Sequence, residues 1–314
     1  MINISKKGER AEQPPKNSYL IYQVIDAALR HGLRLLPAWA WTERVSLWWG
    51  YNYKPAPRVV RLRSKPLIYV NPTDYLQLLI YYLGTFEPHC LPYLRKCANE
   101  GGTVVDVGAN IGFYTLESSL LVGASGRVIS IEAAPPHLKA LQENIQRNGL
   151  RNVAIIKNAV GDRVGEATLA LPQGDNLGMF TLGPVASEEM YRVEVQRIDD
   201  VLEQQGVQCV DLIKMDIEGS EFRALIGAAT TLARFKPALL LELNEPALQR
   251  CGSSTRAVKE LLSKAGYFGW IIGRTVVRPI PESQETHVCD ECLFIHRERQ
   301  SLIDKLRLPG FNRA

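Results

Sequence analysis

Residues 104–116 read VVDVGANIGFYTL, and residues 128–135 read VISIEAAP. The first stretch is a short β-branched run, a turn carrying Gly108 and Gly112, and then a helix start. The second is another apolar strand, and it ends on Glu132. Strand, glycine turn, helix and strand is the order by which an open α/β sheet builds a crevice at the carboxyl ends of its strands. Gly108 and Gly112 let the backbone turn sharply and approach a ligand where a Cβ would clash. The helix opening near Gly112 aims unpaired N–H groups at the crevice, where a ligand carboxylate can dock. Glu132 is placed to accept both hydroxyls of a ribose.

The glycine spacing decides between nucleosides. A dinucleotide fingerprint needs G-x-G-x-x-G, because a pyrophosphate lies against bare backbone. Here the pattern is D-x-G-x-N-x-G, from Asp106 to Gly112. A carboxylate at Asp106 suits a ligand with a cationic amino-acid end. S-adenosylmethionine has that end, a ribose for Glu132 and no phosphate. Strand–glycine–helix turns also occur in α/β proteins that bind nothing there. Asp106 and Glu132 at two strand ends favour the adenosylmethionine reading and disfavour NAD.

The 314 residues are 46% hydrophobic and 22% charged, an ordinary globular composition with ample core. A net charge of +4 is too small to imply a nucleic-acid partner. The charge is uneven, however. Residues 1–65 hold twelve Lys and Arg against four acids, whereas the remainder carries a deficit of four. A basic leader on a mildly acidic body suggests attraction to an anionic surface. The six cysteines have no framework spacing, and no secretory signal opens the chain, so a cytoplasmic setting is expected. No apolar run is long enough to span a bilayer.

Along the chain, residues 1–17 read as disordered and 19–36 as an amphipathic helix. Trp39, Trp41, Trp48, Trp49, Tyr51 and Tyr53 then form an aromatic patch. Two readings of this leader stay open. It caps the catalytic domain or a dimer contact, or it touches the inner face of a membrane peripherally through residues 18–57. A hairpin is expected over 59–70, then helices ending at Leu83 and spanning 87–97. The strand–helix alternation runs over 103–108, 112–121, 127–131, 136–148 and 153–156. Residues 162–197 read as an antiparallel insertion. The alternation resumes with strand 209–215, helix 220–235, strand 238–243, helix 254–265, strand 267–272 and a last strand at 291–297.

VVDVGANIGFYTL, the EAAP at 132–135, ENIQRNGL at 143–150 and above all KMDIEGSE at 214–221 closely resemble the FkbM-type methyltransferase family. GTFEP at 84–88, ALLLELNE at 238–245 and ECLFIHRE at 291–298 resemble it too, so the likeness covers roughly residues 69–298. It implies a class I methyltransferase fold, an α/β Rossmann-like sheet of seven mostly parallel strands with an N-terminal helical extension. It also implies S-adenosylmethionine as cofactor and methylation of an oxygen on a sugar, glycolipid or polyketide-like acceptor. On this reading residues 1–57 are the leader and 58–300 the methyltransferase domain. Within the domain, 58–101 holds the hairpin and helices, 102–297 is the core with insertion 162–197, and 301–314 form a tail. Where the family has proline after the ribose acid, Ala133 stands here, which predicts a looser turn.

The resemblance places Asp106, Gly108, Asn110 and Gly112 around the methionine end of the cofactor, with Phe113 and Thr115 lining the same pocket. Glu132 matches the ribose acid, Asn158 and Ala159 the segment beside adenine, and Asp216 the end of the signature strand. Methyl transfer from a sulfonium is an in-line displacement, so positioning supplies much of the acceleration. What remains is to take the proton of an attacking hydroxyl, by a base or by a metal that acidifies it. Asp216, Glu218 and Glu242 are the candidate catalytic residues; Asn244 and Glu245 sit nearby. Glu221 is expected to cap the following helix. No metal is assigned, and a divalent ion stays open. H-x-C-x-x-C-x-x-x-H from His287 to His296 invites zinc, but a strand spreads Cys292 and His296 apart. His287 could instead serve as a base. The insertion, with Asp175, Asn176, Met179 and Phe180, and the N-terminal cap are expected to build the acceptor pocket. Competing readings are a nucleic-acid or protein methylase and a membrane-associated binding module without turnover. An Asn-Pro-Pro-aromatic element is missing after Asp216, which disfavours base methylation.

Overall fold

The computed structural model describes residues 16–38, 40–171, 180–185, 187, 189–280 and 290–309. Two helices come first, α1 (Lys16–Leu35) and α2 (Ala40–Tyr53), followed by an antiparallel hairpin of β1 (Arg58–Arg61) and β2 (Leu67–Val70). Asp74 then caps α3 (Tyr75–Leu83) by accepting the Gln77 N–H at 2.8 Å, and left-handed Gly84 ends it. α4 (Leu91–Cys97) begins four residues later than its expected start. Pro88 disfavours helical backbone at Glu87, whose φ is +41°. Cys90 and Cys97 are both fully buried core residues.

The alternating core follows: β3 (Thr103–Val107), α5 (Phe113–Val122), β4 (Arg127–Ile131), α6 (Pro135–Arg147) and β5 (Val153–Ile156). β6 (Ala159–Val160), β7 (Gly165–Ala170) and β8 (Met190–Gln196) make a separate three-stranded sheet where the antiparallel insertion is expected. Next come α7 (Ile198–Gln204), β9 (Leu212–Met215), α8 (Glu221–Ile226), α9 (Ala229–Phe235), β10 (Ala238–Leu243), α10 (Glu245–Arg250) and α11 (Thr255–Lys264). β11 (Tyr267–Ile272), β12 (Val277–Pro279), β13 (Asp290–His296) and α12 (Gln300–Leu306) complete the chain.

Among the described residues the main sheet has eight strands rather than seven, in the order β12-β11-β13-β10-β9-β3-β4-β5. The extra one, β12, is three residues long and ends in proline, too short to show an alternation. β13, the last strand, is antiparallel and lies between β10 and β11. The helix expected over 220–235 is two. The break falls at Gly227, where a Cβ would overlap the Gly161 carbonyl. Asp199, arriving from α7, caps the second piece by accepting Thr230 N at 2.9 Å and Thr231 N at 2.8 Å. The expected C-terminal tail opens with α12, whose Leu302, Ile303 and Leu306 are buried in the core.

Side-chain alternation sorts the core into the two faces of the sheet. Val104, Leu240 and Leu293 join the α3, α4 and α12 layer, while Val105, Leu241 and Phe294 join the α7–α9 and α11 layer. The leader belongs to the first layer: Leu33 is buried in it, and Leu29, Val45 and Trp49 pack against it. Among the described residues no helix is long and apolar enough to cross a membrane.

Candidate active site

The carboxyl ends of β3, β4, β5, β9 and β10 open into one cavity of about 620 Å³. Its first end is built by the glycine turn after β3. Gly108, Asn110 and Gly112 all have positive φ, at +79°, +50° and +97°. Gly108 also sits where a Cβ would strike the Asp216 carbonyl, so the two loops touch backbone to backbone. The Gly108 and Ala109 N–H groups both donate to the Ile131 carbonyl, tying the turn to the end of β4.

Glu132, one residue beyond β4, is buried and held from two sides. Its Oε2 accepts the Asn110 N–H at 2.7 Å, and its Oε1 accepts the Ala134 N–H at 2.7 Å. The second bond pins the turn that Ala133 leaves without a proline. His137 Nδ1 lies 3.9 Å from Glu132 Oε1, and its ring meets Phe180 edge-on at 5.2 Å. Asp106, on β3, is 2% exposed and accepts the Thr115 hydroxyl at 2.6 Å. Burial pushes its carboxyl up to about 6, against the Thr115 bond and Lys214.

Of the cofactor residues expected from sequence, Asp106, Gly108, Asn110, Phe113, Glu132, Asn158, Ala159 and Asp216 line the cavity. Gly112 and Thr115 do not. Gly112 makes room for Leu141 of α6. Thr115 is buried behind Asp106 and is bonded to it and to Ser130.

At the other end, Asp216, Glu218 and Glu242 bring carboxylate oxygens within 4.8 Å of one another. Glu218 has a φ of +51°, an uncommon backbone for a non-glycine residue, and its Oε2 has no hydrogen-bond partner among the described residues. Burial, then Asp216 and Glu221, pushes its carboxyl up to about 8. Glu221 faces inward and accepts the Gly219 N–H at 3.0 Å and the Ile217 N–H at 3.1 Å, so it ties down its own loop. Burial raises it to about 7.

Four residues absent from the sequence-derived set complete this end: Glu87, Tyr114, Lys214 and Glu291. Lys214 is buried, with Nζ 3.5 Å from Glu291, 3.8 Å from Glu87 and 4.0 Å from Asp216. It also lies 5.0 Å from the centre of the Tyr114 ring, whose hydroxyl donates to Glu87 at 2.6 Å. Burial alone would lower the lysine, but Glu291, Glu87 and Asp216 outweigh it and hold Lys214 well above its ordinary value. Glu291 is raised to about 8 by burial and by Glu87. The available sequence signal was a charged residue inside an apolar strand, as in LIKM.

Glu43 of α2, Tyr75, His89 and Arg274 line the same cavity. Arg274 pairs with Glu43 at 2.6 Å, joining the leader to the loop after β11. From the insertion, Leu169, Phe180 and Leu182 also line it, Phe180 against His137. The Thr181 hydroxyl donates to the Glu218 carbonyl at 2.8 Å. Asp175, Asn176, Met179, His287, Cys289 and Trp39 lie outside the described residues. Among the described residues, Cys292 and His296 belong to no cluster of metal-ligating atoms.

A mostly parallel sheet with a glycine turn after one strand and an acid after the next defines a class I methyltransferase-like fold. A family model for the methyltransferase FkbM domain matches residues 106–268, more than half of the sequence, and the chain belongs to that family of S-adenosylmethionine-dependent methyltransferases. It is 28% identical over 178 residues to methyltransferase sdnD of Sordaria araneosa, covering 46% of this chain and 67% of that one. It is 27% identical over 177 residues to the 31-O-demethyl-FK506 methyltransferase FkbM of Streptomyces tacrolimicus, covering 46% and 66%. These matches span about two thirds of the relatives' length. Among solved structures, methyltransferase FkbM of Methylobacillus flagellatus is 20% identical with a TM-score of 0.41, over 71% of this chain and 53% of that one.

Proposed function

We propose that this chain transfers a methyl group from S-adenosylmethionine to a hydroxyl of a small acceptor, a sugar, glycolipid or polyketide-like molecule. The observation that carries the reading is the pair of buried carboxylates, Asp106 and Glu132, flanking one glycine turn. The cradle fits the cofactor: the glycine turn and both carboxylates line one cavity, and Asp106 offers negative charge where an α-ammonium would sit. When bound, S-adenosylmethionine supplies a methyl group already activated on sulfur. Glu132 accepts the ribose hydroxyls through lone pairs its two N–H bonds leave over. Thr115 fixes Asp106 from behind, and Asn158, Ala159 and Phe180 enclose the adenine.

Asp216, Glu218 and Glu242 face the attacking hydroxyl, and one of them takes its proton. Glu218 suits the task best, because a carboxylate raised to about 8 is a stronger base than an ordinary one. Lys214 holds Glu87, Asp216 and Glu291 in place as a fixed positive charge. The acceptor enters past Tyr75, His89 and Arg274. Residues 58–300 form the catalytic domain, preceded by the leader, whose residues 18–57 make a peripheral contact with a membrane.

Calorimetry of the purified chain against S-adenosylmethionine and against NAD tests the cofactor. Tight binding of NAD with none of S-adenosylmethionine would overturn the reading. Turnover in EDTA and in added magnesium separates a carboxylate base from a divalent ion held by the same three residues.

A further inference from the structure

α1 turns polar side chains as well as Leu29 and Leu33 toward the protein: Asp26 accepts the Tyr81 hydroxyl at 2.7 Å and the Tyr82 hydroxyl at 2.6 Å, and Arg34 donates to the Tyr81 carbonyl at 2.9 Å. Its outward face, at helical spacing, is Ile21, Val24, Ile25, Ala28, Gly32 and Leu35, apolar throughout. Val24 is 62% exposed and Leu35 76%. α2 repeats the arrangement, with Trp41, Arg44, Trp48 and Tyr51 on one exposed face and Trp48 67% exposed. The helices meet through Tyr22, whose ring lies 6.0 Å from Trp49 and 6.4 Å from Tyr53. Among the described residues, nine of the sixteen exposed large hydrophobics fall between 21 and 51, so this is one patch rather than scatter.

Among the described residues up to Lys65, the exposed charge has one sign. Both carboxylates between residues 16 and 65, Asp26 and Glu43, are buried, while Arg44, Lys54, Arg58, Arg61 and Lys65 are exposed. A second copy docked on this face would bring like charges together. An anionic lipid surface would neutralise them, and tryptophan and tyrosine beside arginine suit the headgroup level. We propose that the outer face of α1 and α2 is a docking surface for an anionic bilayer. It deepens the peripheral position proposed above and does not depend on the cofactor. α2 also sends Glu43 to the cleft mouth, where it pairs with Arg274.

Flotation of the full chain with vesicles of mixed phosphatidylglycerol and phosphatidylcholine, against phosphatidylcholine alone, tests this directly. We expect at least about tenfold more protein to float with the anionic vesicles, and salt to reduce it. Val24→Glu and Trp48→Glu, both on the exposed face, should each remove most of that binding while leaving S-adenosylmethionine affinity unchanged. Equal flotation by wild type and variants, or none by either, overturns the proposal. So does a dimer in sedimentation velocity that the same variants convert to monomer without any vesicle binding. Loss of S-adenosylmethionine binding in the wild type would sink the cofactor reading and leave the docking result standing.

Discussion

The two ends of the cleft are built on opposite principles. At the β4 end the carboxylates are held by neutral donors: both Glu132 oxygens accept backbone N–H groups, and Asp106 accepts a hydroxyl. At the β9 end Glu87, Asp216 and Glu291 crowd one lysine, and Glu218 has an oxygen with no hydrogen-bond partner among the described residues. The first arrangement fixes shape, as a site that must match a ligand requires. The second stores unsatisfied proton affinity, as a site that must move a proton requires.

Removing the lysine strikes hardest at this contrast. Lys214→Met leaves several carboxylates buried without their cation, and should destabilise the fold by about 3–5 kcal/mol at pH 8. Because protonation relieves the excess charge, the melting temperature should recover as pH falls toward 5. An unchanged melting temperature at pH 8 would show that the cluster is not energetically coupled. Glu218→Gln tests the other half: turnover should fall about 10²–10⁴-fold with cofactor affinity within a few-fold. In the wild type, the base form of Glu218 appears as pH rises through about 8, so turnover should climb across that range. A plateau from pH 6 upward would assign the proton transfer elsewhere.

Glu132→Gln should act on binding instead, weakening S-adenosylmethionine by about 10–100-fold. If turnover at saturating cofactor falls as far as in Glu218→Gln, the division between the ends fails. The smallest effect sharpens it. Glu218 has a raised pKa in the fold, so the stability it contributes is present below its ordinary value near 4.5 and is lost as pH rises through about 8. Glu218→Gln should therefore melt a few degrees higher than wild type at pH 9 and no higher at pH 4.

The same division explains what could be read from the sequence. Strands 127–131, 153–156, 238–243 and 267–272 fall where the apolar runs place them, because polar residues or turns bound each run. Glu132 and Asp106 share one contiguous βαβ unit, so local spacing already brings them together. Glu43, Tyr75, His89 and Arg274 come from four distant segments, and no periodicity joins them. Lys214 and Glu291 stood in plain view, yet only pairing of β10 with β13 and with β9 turns two strand residues into a cluster. The apolar outward face of α1 was equally hidden. An amphipathic pattern tells that a helix has two faces, but not which of them the partner tyrosines will claim.

The backbone contact between Gly108 and Asp216 joins the glycine turn to the signature loop, and Asp216 N–H also donates to the Val107 carbonyl at 3.0 Å. Whatever occupies the turn must then stiffen both strand tips together. Amide hydrogens around residues 108 and 216 should slow their exchange with solvent in step as the donor molecule is titrated in, a cooperative clasp felt across the seam between the two halves of the sheet.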